Sequence, residues 1–134
     1  MAVIAISREL ASYGEETAQE LSKLNGYKIV DREHIEAALS AMGIDVEKQA
    51  RYDEKNPGFW ASLSQQRDEY LHFLTQTVYE TALENNCIFI GRGAHVILRG
   101  IKNLISIRIG ASKTVRIERV RKAQNIDSRH ALQI

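Results

Sequence analysis

Short, continuously apolar runs alternate along the chain with longer stretches in which apolar residues recur at helical spacing. The runs predict β-strands, and the stretches between them predict amphipathic helices. The strands are predicted at Val3–Ile6, Tyr27–Val30, Cys87–Ile90 and Asn103–Ile109. The helices are predicted at Glu15–Leu24, Arg32–Met42, Ile44–Lys55, Trp60–Asn85 and Ala94–Arg99, with one of about a dozen residues capped by Ser112 and another capped by Asp127 or Ser128.

The apolar positions of these helices predict which faces are buried. The first helix carries Thr17, Ala18, Leu21 and Leu24 at helical spacing. The second has Ile35, Ala38, Leu39 and Met42 on one face. In the longest helix the inward positions are predicted to be Leu63, Tyr70, Leu74, Val78 and Leu83.

Strands that alternate with helices predict a mostly parallel sheet covered on both faces, which defines the α/β class. The 134 residues contain no repeat or linker, so residues 1–134 are expected to form a single domain. Ligands of such sheets bind beyond the carboxyl ends of the strands, where the strand order switches. The residues that follow each strand are therefore the candidates for function.

The segment Ser7–Gly14 joins the first strand to the first helix and consists largely of small and polar residues. Free backbone N–H groups at a helix start attract anions, so this layout is typical of a phosphate-binding loop. An ordinary connection between a strand and a helix fits the same pattern equally well. The Walker motif is absent, and no lysine occurs before Ser22. The carboxylates of Glu15 and Glu16 interact favourably with the dipole at the helix start, but they would repel a phosphate unless Mg²⁺ lay between them.

Arginines follow three of the four predicted strands. Arg92 lies between Gly91 and Gly93, where the backbone can approach a ligand and a guanidinium can pair with a phosphate. Arg32 follows Asp31, and the two side chains offer a ligand a donor and an acceptor side by side. The alternative for Asp31 is the N-cap of the next helix, a role that does not exclude contact with a ligand. These positions favour an anion site at the edge of the sheet. The alternative for Arg92 is a guanidinium that is solvated or paired with a carboxylate of the chain.

Arg116 and Arg119 are three residues apart on the last long helix and share one face, whereas Arg121 points elsewhere. Such arginines neutralise charge in phosphoryl transfer. The alternative is a solvated basic stripe with Glu118 interleaved.

Composition narrows the possible functions. The net charge of +1 gives no global attraction to nucleic acid or to a membrane surface. A single cysteine, Cys87, allows no disulfide within the chain and is expected to be a buried thiol in a reducing cytoplasm. No apolar run is long enough to predict a membrane span, and the four histidines show no spacing that predicts a metal site.

Four segments in this order resemble the cytidylate kinase-like family. They are Ile6-Ser7-Arg8-Glu9 followed by Tyr13-Gly14, Gly26-Tyr27 followed by Val30-Asp31-Arg32-Glu33 and Ile35, Cys87-Ile88-Phe89-Ile90-Gly91-Arg92-Gly93-Ala94, and Ala111-Ser112 followed by Arg116-Ile117-Glu118-Arg119-Val120. The resemblance spans essentially the whole chain.

The resemblance implies a three-layer P-loop NTPase-like core and phosphoryl transfer from ATP-Mg²⁺ to a nucleoside monophosphate such as CMP or dCMP. It assigns the phosphate loop to Ser7, Arg8, Ser12, Tyr13 and Gly14, and the acceptor side to Asp31, Arg32, Gly91, Arg92 and Gly93. It makes Arg116 and Arg119 the catalytic residues and residues 44–85 an acceptor-binding helical insertion.

The chain departs from the family pattern in the loop. Where the family has Gly-Ser-Gly-Gly and a basic residue, this chain has Ala11-Ser12-Tyr13-Gly14 and then Glu15. Alanine and tyrosine disfavour left-handed backbone, which predicts a loop that does not fold closely around a phosphate. The resemblance also implies a C-terminally shortened chain. Two alternatives to a kinase follow: a non-catalytic nucleotide-binding module, or an interaction domain that forms a homo-oligomer.

Overall fold

A computed structural model describes residues 2–44 and 65–124 of the chain. Within them the strands are β1 (Val3–Arg8), β2 (Lys28–Val30), β3 (Cys87–Ile90) and β4 (Leu104–Ile109). The helices are α1 (Gly14–Asn25), α2 (Arg32–Ala41), α3 (Gln65–Leu83), α4 (Ala94–Ile97) and α5 (Lys113–Gln124). Every described element agrees in type with its prediction, and β3 agrees in both bounds.

The four strands form one parallel sheet in the order β2-β3-β1-β4. In β1, the run Val3–Ile6 is buried, as is all of β3, because both strands have neighbours on each side and helices on each face. Strand β4 lies at one edge, and each of its residues is half-buried or exposed. The burial of each strand therefore follows its place in the sheet.

Alternate residues of the central strands face opposite sides of the sheet. Val3 and Ala5 pack with residues of α2, α3 and α4, whereas Ile4 and Ile6 pack with Ala18 of α1. Two apolar layers result, one on each face of the sheet. This is the three-layer α/β fold that the sequence predicted.

Particular residues mark the end of α1 and the start of α5. Gly26 adopts left-handed backbone (φ 73°) and its N–H donates to the Ser22 carbonyl oxygen at 2.8 Å, which ends α1. Ser112 precedes α5, and its hydroxyl oxygen accepts the Val115 N–H at 3.3 Å.

Cys87 is buried; burial raises the pKa of its thiol, and the charge of Glu84 adds to that effect.

The predicted inward face of the long helix was wrong at one end. Tyr70, Leu74 and Val78 are buried, but Leu83 is 80% exposed and Ala82 takes the inward position. The reason is helical phase, because Ala82 lies four residues after Val78 whereas Leu83 lies five after it. In α1, Leu24 is likewise exposed.

Several predictions lie outside the described residues: the helix over residues 45–55, the start of the long helix at Trp60, the inward position of Leu63, and a helix capped by Asp127 or Ser128. Among the residues that are described, no helix has both the length and the apolar character needed to cross a membrane.

Two leucines of α3 test the packing directly. Leu74→Ala empties a site that is 4% exposed and should lower the free energy of unfolding by about 2–5 kcal/mol. Leu83→Ala, the same change on the same helix, should alter it by less than about 0.5 kcal/mol. Urea unfolding measures both, and equal losses would contradict the assigned orientation of α3.

Candidate functional site

The carboxyl ends of β1 and β3, the two inner strands, lie side by side. They are part of the edge of the sheet that is formed by the carboxyl ends of all four parallel strands. Ile6 pairs with Ile90, and the Gly91 N–H donates to the Ile6 carbonyl oxygen at 3.0 Å. From β1 the chain runs toward the β2 edge, whereas from β3 it crosses to β4 on the other side. The strand order therefore switches between β1 and β3, and ligands of open α/β sheets bind beyond the carboxyl ends of the strands at such a switch.

The loop after β1 is folded tightly on itself. The N–H and hydroxyl of Ser12 both donate to the Glu9 carbonyl oxygen, at 3.2 and 2.7 Å. Ala11 and Tyr13 adopt left-handed backbone, with φ of 59° and 65°. The left-handed backbone that alanine and tyrosine disfavour is therefore present at both residues, where contacts described below support it. The expectation that the loop does not fold closely around a phosphate stays a prediction. Ser7 and Arg8, predicted as part of the loop, lie in β1, which continues two residues beyond its predicted end.

Arg8 crosses the start of α1 and compensates for the acid at its first turn. Its Nε donates to Glu15 Oε1 at 2.7 Å, and its aliphatic stem covers Gly14. A Cβ at residue 14 would lie 2.5 Å from the Arg8 Cβ, so only glycine fits beneath this side chain. One of the two acids that the sequence places at the helix start, Glu15, is thus paired with a neighbouring arginine.

Arg116 and Arg119, the two arginines of α5 that were predicted to share a face, both contact the loop after β1. Arg116 lies 3.0 Å from Glu9 Oε2, and Arg119 donates to the Ala11 carbonyl oxygen at 2.9 Å. The Arg119 guanidinium also stacks on the Tyr13 ring, 3.7 Å from its centroid. A cation over an aromatic face is attractive, and this contact supports the left-handed Tyr13.

Arg121 points away from the loop, as predicted, and pairs with Glu118. The hydrogen bonds from Arg121 hold the pKa of the Glu118 carboxyl below its ordinary value. The acid interleaved among these arginines is therefore engaged with Arg121 rather than with the two arginines that reach the loop.

The turn after β3 holds Arg92 in an unusual conformation. Gly91, Arg92 and Gly93 all have positive φ, of 69°, 58° and 69°. Left-handed backbone is uncommon for a residue with a side chain, and a buried cation needs a partner. The Arg92 side chain is 6% exposed, and its Nη2 donates to Glu36 Oε1 at 2.8 Å.

Glu36 also binds the second arginine of the predicted acceptor side. Arg32 Nε donates to the same oxygen, Glu36 Oε1, at 2.6 Å. The two guanidinium groups therefore converge on one point, although they come from α2 and from the turn after β3. Sequence reasoning missed Glu36, and the signal that could have found it is its position four residues after Arg32 on one helix.

Asp31 caps α2. Its Oδ1 accepts the His34 backbone N–H at 3.1 Å and lies 2.8 Å from the His34 Nδ1. Burial alone would raise the pKa of Asp31, but the hydrogen bonds from the side chain and backbone of His34 outweigh it and hold the pKa below its ordinary value. The predicted capping role of Asp31 is confirmed, whereas its contact with a ligand, which capping does not exclude, stays a prediction.

The predicted site residues thus form two groups at one edge of the sheet. The loop group joins Arg8, Ser12, Tyr13, Arg116 and Arg119, and the acceptor group joins Arg32 and Arg92 around Glu36. In both groups the arginines contact groups of the chain itself: Arg119 contacts a backbone carbonyl and an aromatic ring, and the others contact carboxylates. Within residues 2–44 and 65–124, no three histidine, cysteine or acidic side chains come together as metal ligands.

Residues 3–134 match the model of the cytidylate kinase-like family, and the chain belongs to that family. It is therefore a kinase-like nucleotide-binding protein. No curated protein resembles the chain closely enough to count as a match.

Solved structures share its fold. An uncharacterized protein from Eubacterium ventriosum is 21% identical with a TM-score of 0.69, over 99% of this chain and 68% of that one. A candidate kinase from Chloroflexus aurantiacus is 17% identical with a TM-score of 0.52, over 98% and 72%. TT1252 from Thermus thermophilus is 16% identical with a TM-score of 0.52, over 98% and 77%.

The close approach of Arg8 to Gly14 makes the loop sensitive to one methyl group. Gly14→Ala should lower the free energy of unfolding by about 1–3 kcal/mol, because Arg8 must shift. Ala11→Gly, in the same loop, relieves left-handed backbone and should cause no loss, or a gain of up to about 1 kcal/mol. Urea unfolding of both variants is the measurement, and a neutral Gly14→Ala would contradict the packing.

Proposed function

We propose that this protein binds a nucleoside monophosphate, CMP or dCMP, at the acceptor group and transfers a phosphoryl group to it from ATP. The observation that carries the proposal is the convergence of Arg32 and Arg92 on a single point beside the switch in strand order. Two guanidinium groups aimed at one oxygen are suited to a phosphate, which offers several oxygens at that distance.

The burial of Arg92 favours a ligand role over a purely structural one. Its turn requires left-handed backbone at three successive residues, which costs energy at Arg92, and such strain clusters at functional sites. A guanidinium largely removed from water also interacts more strongly with an anion than an exposed one. The acceptor phosphate would therefore bind mainly through Arg92, with Arg32 as the more exposed partner.

The donor side rests on the loop group. Tyr13, at the N-cap of α1, makes no side-chain capping bond among the described contacts, which leaves the first-turn N–H groups of α1 suited to phosphate oxygens. ATP with Mg²⁺ would supply the phosphoryl group, and Arg116 and Arg119 would neutralise charge on it as it moves. Nucleotide phosphates and water hold Mg²⁺ in many kinases, so a dedicated protein cage is not needed.

A second candidate function is a binding module that does not turn over. It is favoured by the contacts of Arg116 and Arg119 with Glu9, Ala11 and Tyr13, since those contacts occupy the groups that transfer requires. In that case the acceptor group would still bind a nucleoside monophosphate, but ATP would not bind or would not be consumed.

Thermal unfolding with added nucleotides separates these functions, because a ligand that binds only the folded state raises the midpoint. CMP, dCMP, other nucleoside monophosphates and ATP-Mg²⁺ are added singly, and ADP release is followed with ATP-Mg²⁺ and CMP together. We expect shifts with CMP and with ATP-Mg²⁺, and ADP release. A CMP shift alone supports the binding module, and no shift with any nucleotide contradicts both functions.

Arg92→Ala tests the acceptor group. The variant should weaken binding of CMP by roughly 1.5–3 kcal/mol, the range for hydrogen bonds to a charged group. Arg99→Ala removes an exposed arginine two residues after the end of α4 and should leave the affinity unchanged. Isothermal titration calorimetry measures both, and an unchanged affinity in Arg92→Ala would remove this residue from the site.

A further inference from the structure

One carboxylate joins the two arginines of the acceptor group. Glu36 Oε1 accepts from Arg32 Nε at 2.6 Å and from Arg92 Nη2 at 2.8 Å. The Glu36 side chain is 27% exposed, so it lies at the boundary between the buried Arg92 and solvent. It is held in place by α2, one turn after Arg32.

The position of this oxygen is the position that a bound phosphate oxygen would need. A phosphate that pairs with both guanidinium groups must place an oxygen within hydrogen-bond distance of each, and Glu36 Oε1 already meets that requirement. Because Glu36 is part of the chain, it competes as an intramolecular group, with a high effective concentration. Ligand binding is then an exchange of one anion for another.

We infer that Glu36 is an internal competitor at the acceptor group, displaced from Arg32 and Arg92 when the phosphate of a nucleotide binds. This inference rests on the proposed function and adds to it a role for Glu36, which was not among the predicted site residues. While the site is empty, the Glu36 carboxylate offsets the repulsion between the Arg32 and Arg92 guanidinium groups and compensates the charge of the buried Arg92. When a phosphate arrives, the Glu36 side chain turns toward solvent.

The exchange selects for ligand charge. A carboxylate or a phosphodiester carries one negative charge and would replace Glu36 with an equal charge that is not tethered to the chain. A phosphate monoester carries close to two negative charges above neutral pH, so it gains attraction to the two guanidinium groups that Glu36 does not have. Monoester dianions are therefore the ligand class that the arrangement favours.

The test is Glu36→Gln, which keeps the shape of the side chain and an oxygen for the arginines but removes the competing charge. Isothermal titration calorimetry with CMP and with inorganic phosphate is performed on this variant and on the unaltered protein. We expect both ligands to bind roughly tenfold more tightly to the variant, because a neutral amide holds the two guanidinium groups less strongly than the carboxylate does and is displaced more easily. Glu20→Gln, an exposed acid paired with Lys23 on α1, should change neither affinity.

The outcomes separate this inference from the proposed function. If the unaltered protein binds CMP and Glu36→Gln binds it equally or more weakly, Glu36 is not a competitor, although the function stands. If neither protein binds CMP but the variant gains affinity for phosphate, the proposed function fails and the competitor role stands. Equal or weaker phosphate binding by the variant overturns the role in every case.

Loss of the carboxylate beside a buried guanidinium is expected to lower stability, and this supplies a second measurement. Inorganic phosphate should raise the thermal midpoint of Glu36→Gln more than that of the unaltered protein, because it replaces the missing anion. If the variant does not fold in phosphate-free buffer, added phosphate should restore a cooperative unfolding transition. A phosphate effect no larger than in the unaltered protein, or no recovery at the highest soluble concentration, counts against the inference.

Discussion

The parallel pairing of β1 with β3 is the constraint on which the site depends. The register that sets Ile6 beside Ile90 brings the loop after one strand and the turn after the other to a single edge, although they are far apart in sequence. The crossover from β3 to β4 then directs α5 back over the loop. Shifting this register would separate the two groups of arginines, whatever their side chains were.

Most arginines at this edge pair with carboxylates of the chain. Arg8 pairs with Glu15, Arg116 with Glu9, and both Arg32 and Arg92 with a single acid of α2. Because two arginines share that acid, the pairing offsets the positive charge of this edge only in part. A protein that binds anions usually offers a field that draws them in, whereas the arginines here are engaged with groups of the chain itself. The competitor role inferred for Glu36 would therefore gain selectivity at the expense of affinity.

The sequence predicted the fold better than the side-chain contacts. Continuous apolar runs such as Cys87–Ile90 mark buried parallel strands, since both faces are covered. The position of Leu83 failed because a helix turns 100° per residue and one step in phase moves a side chain to the surface. The left-handed backbone of Tyr13 depends on Arg119, and Arg119 also binds a carbonyl 108 positions away in sequence, which no local pattern reveals.

The strand order has a consequence for how the chain is made. β1 is synthesised before β3 and β4, the strands with which it pairs in the described sheet. The described pairings of the apolar run Val3–Ile6 can therefore form only after Cys87 and its neighbours have been synthesised. Contacts so distant in sequence form slowly, and unpaired apolar strands are prone to aggregate. Synthesis of the chain thus includes a stage in which an aggregation-prone strand precedes its neighbours in the sheet.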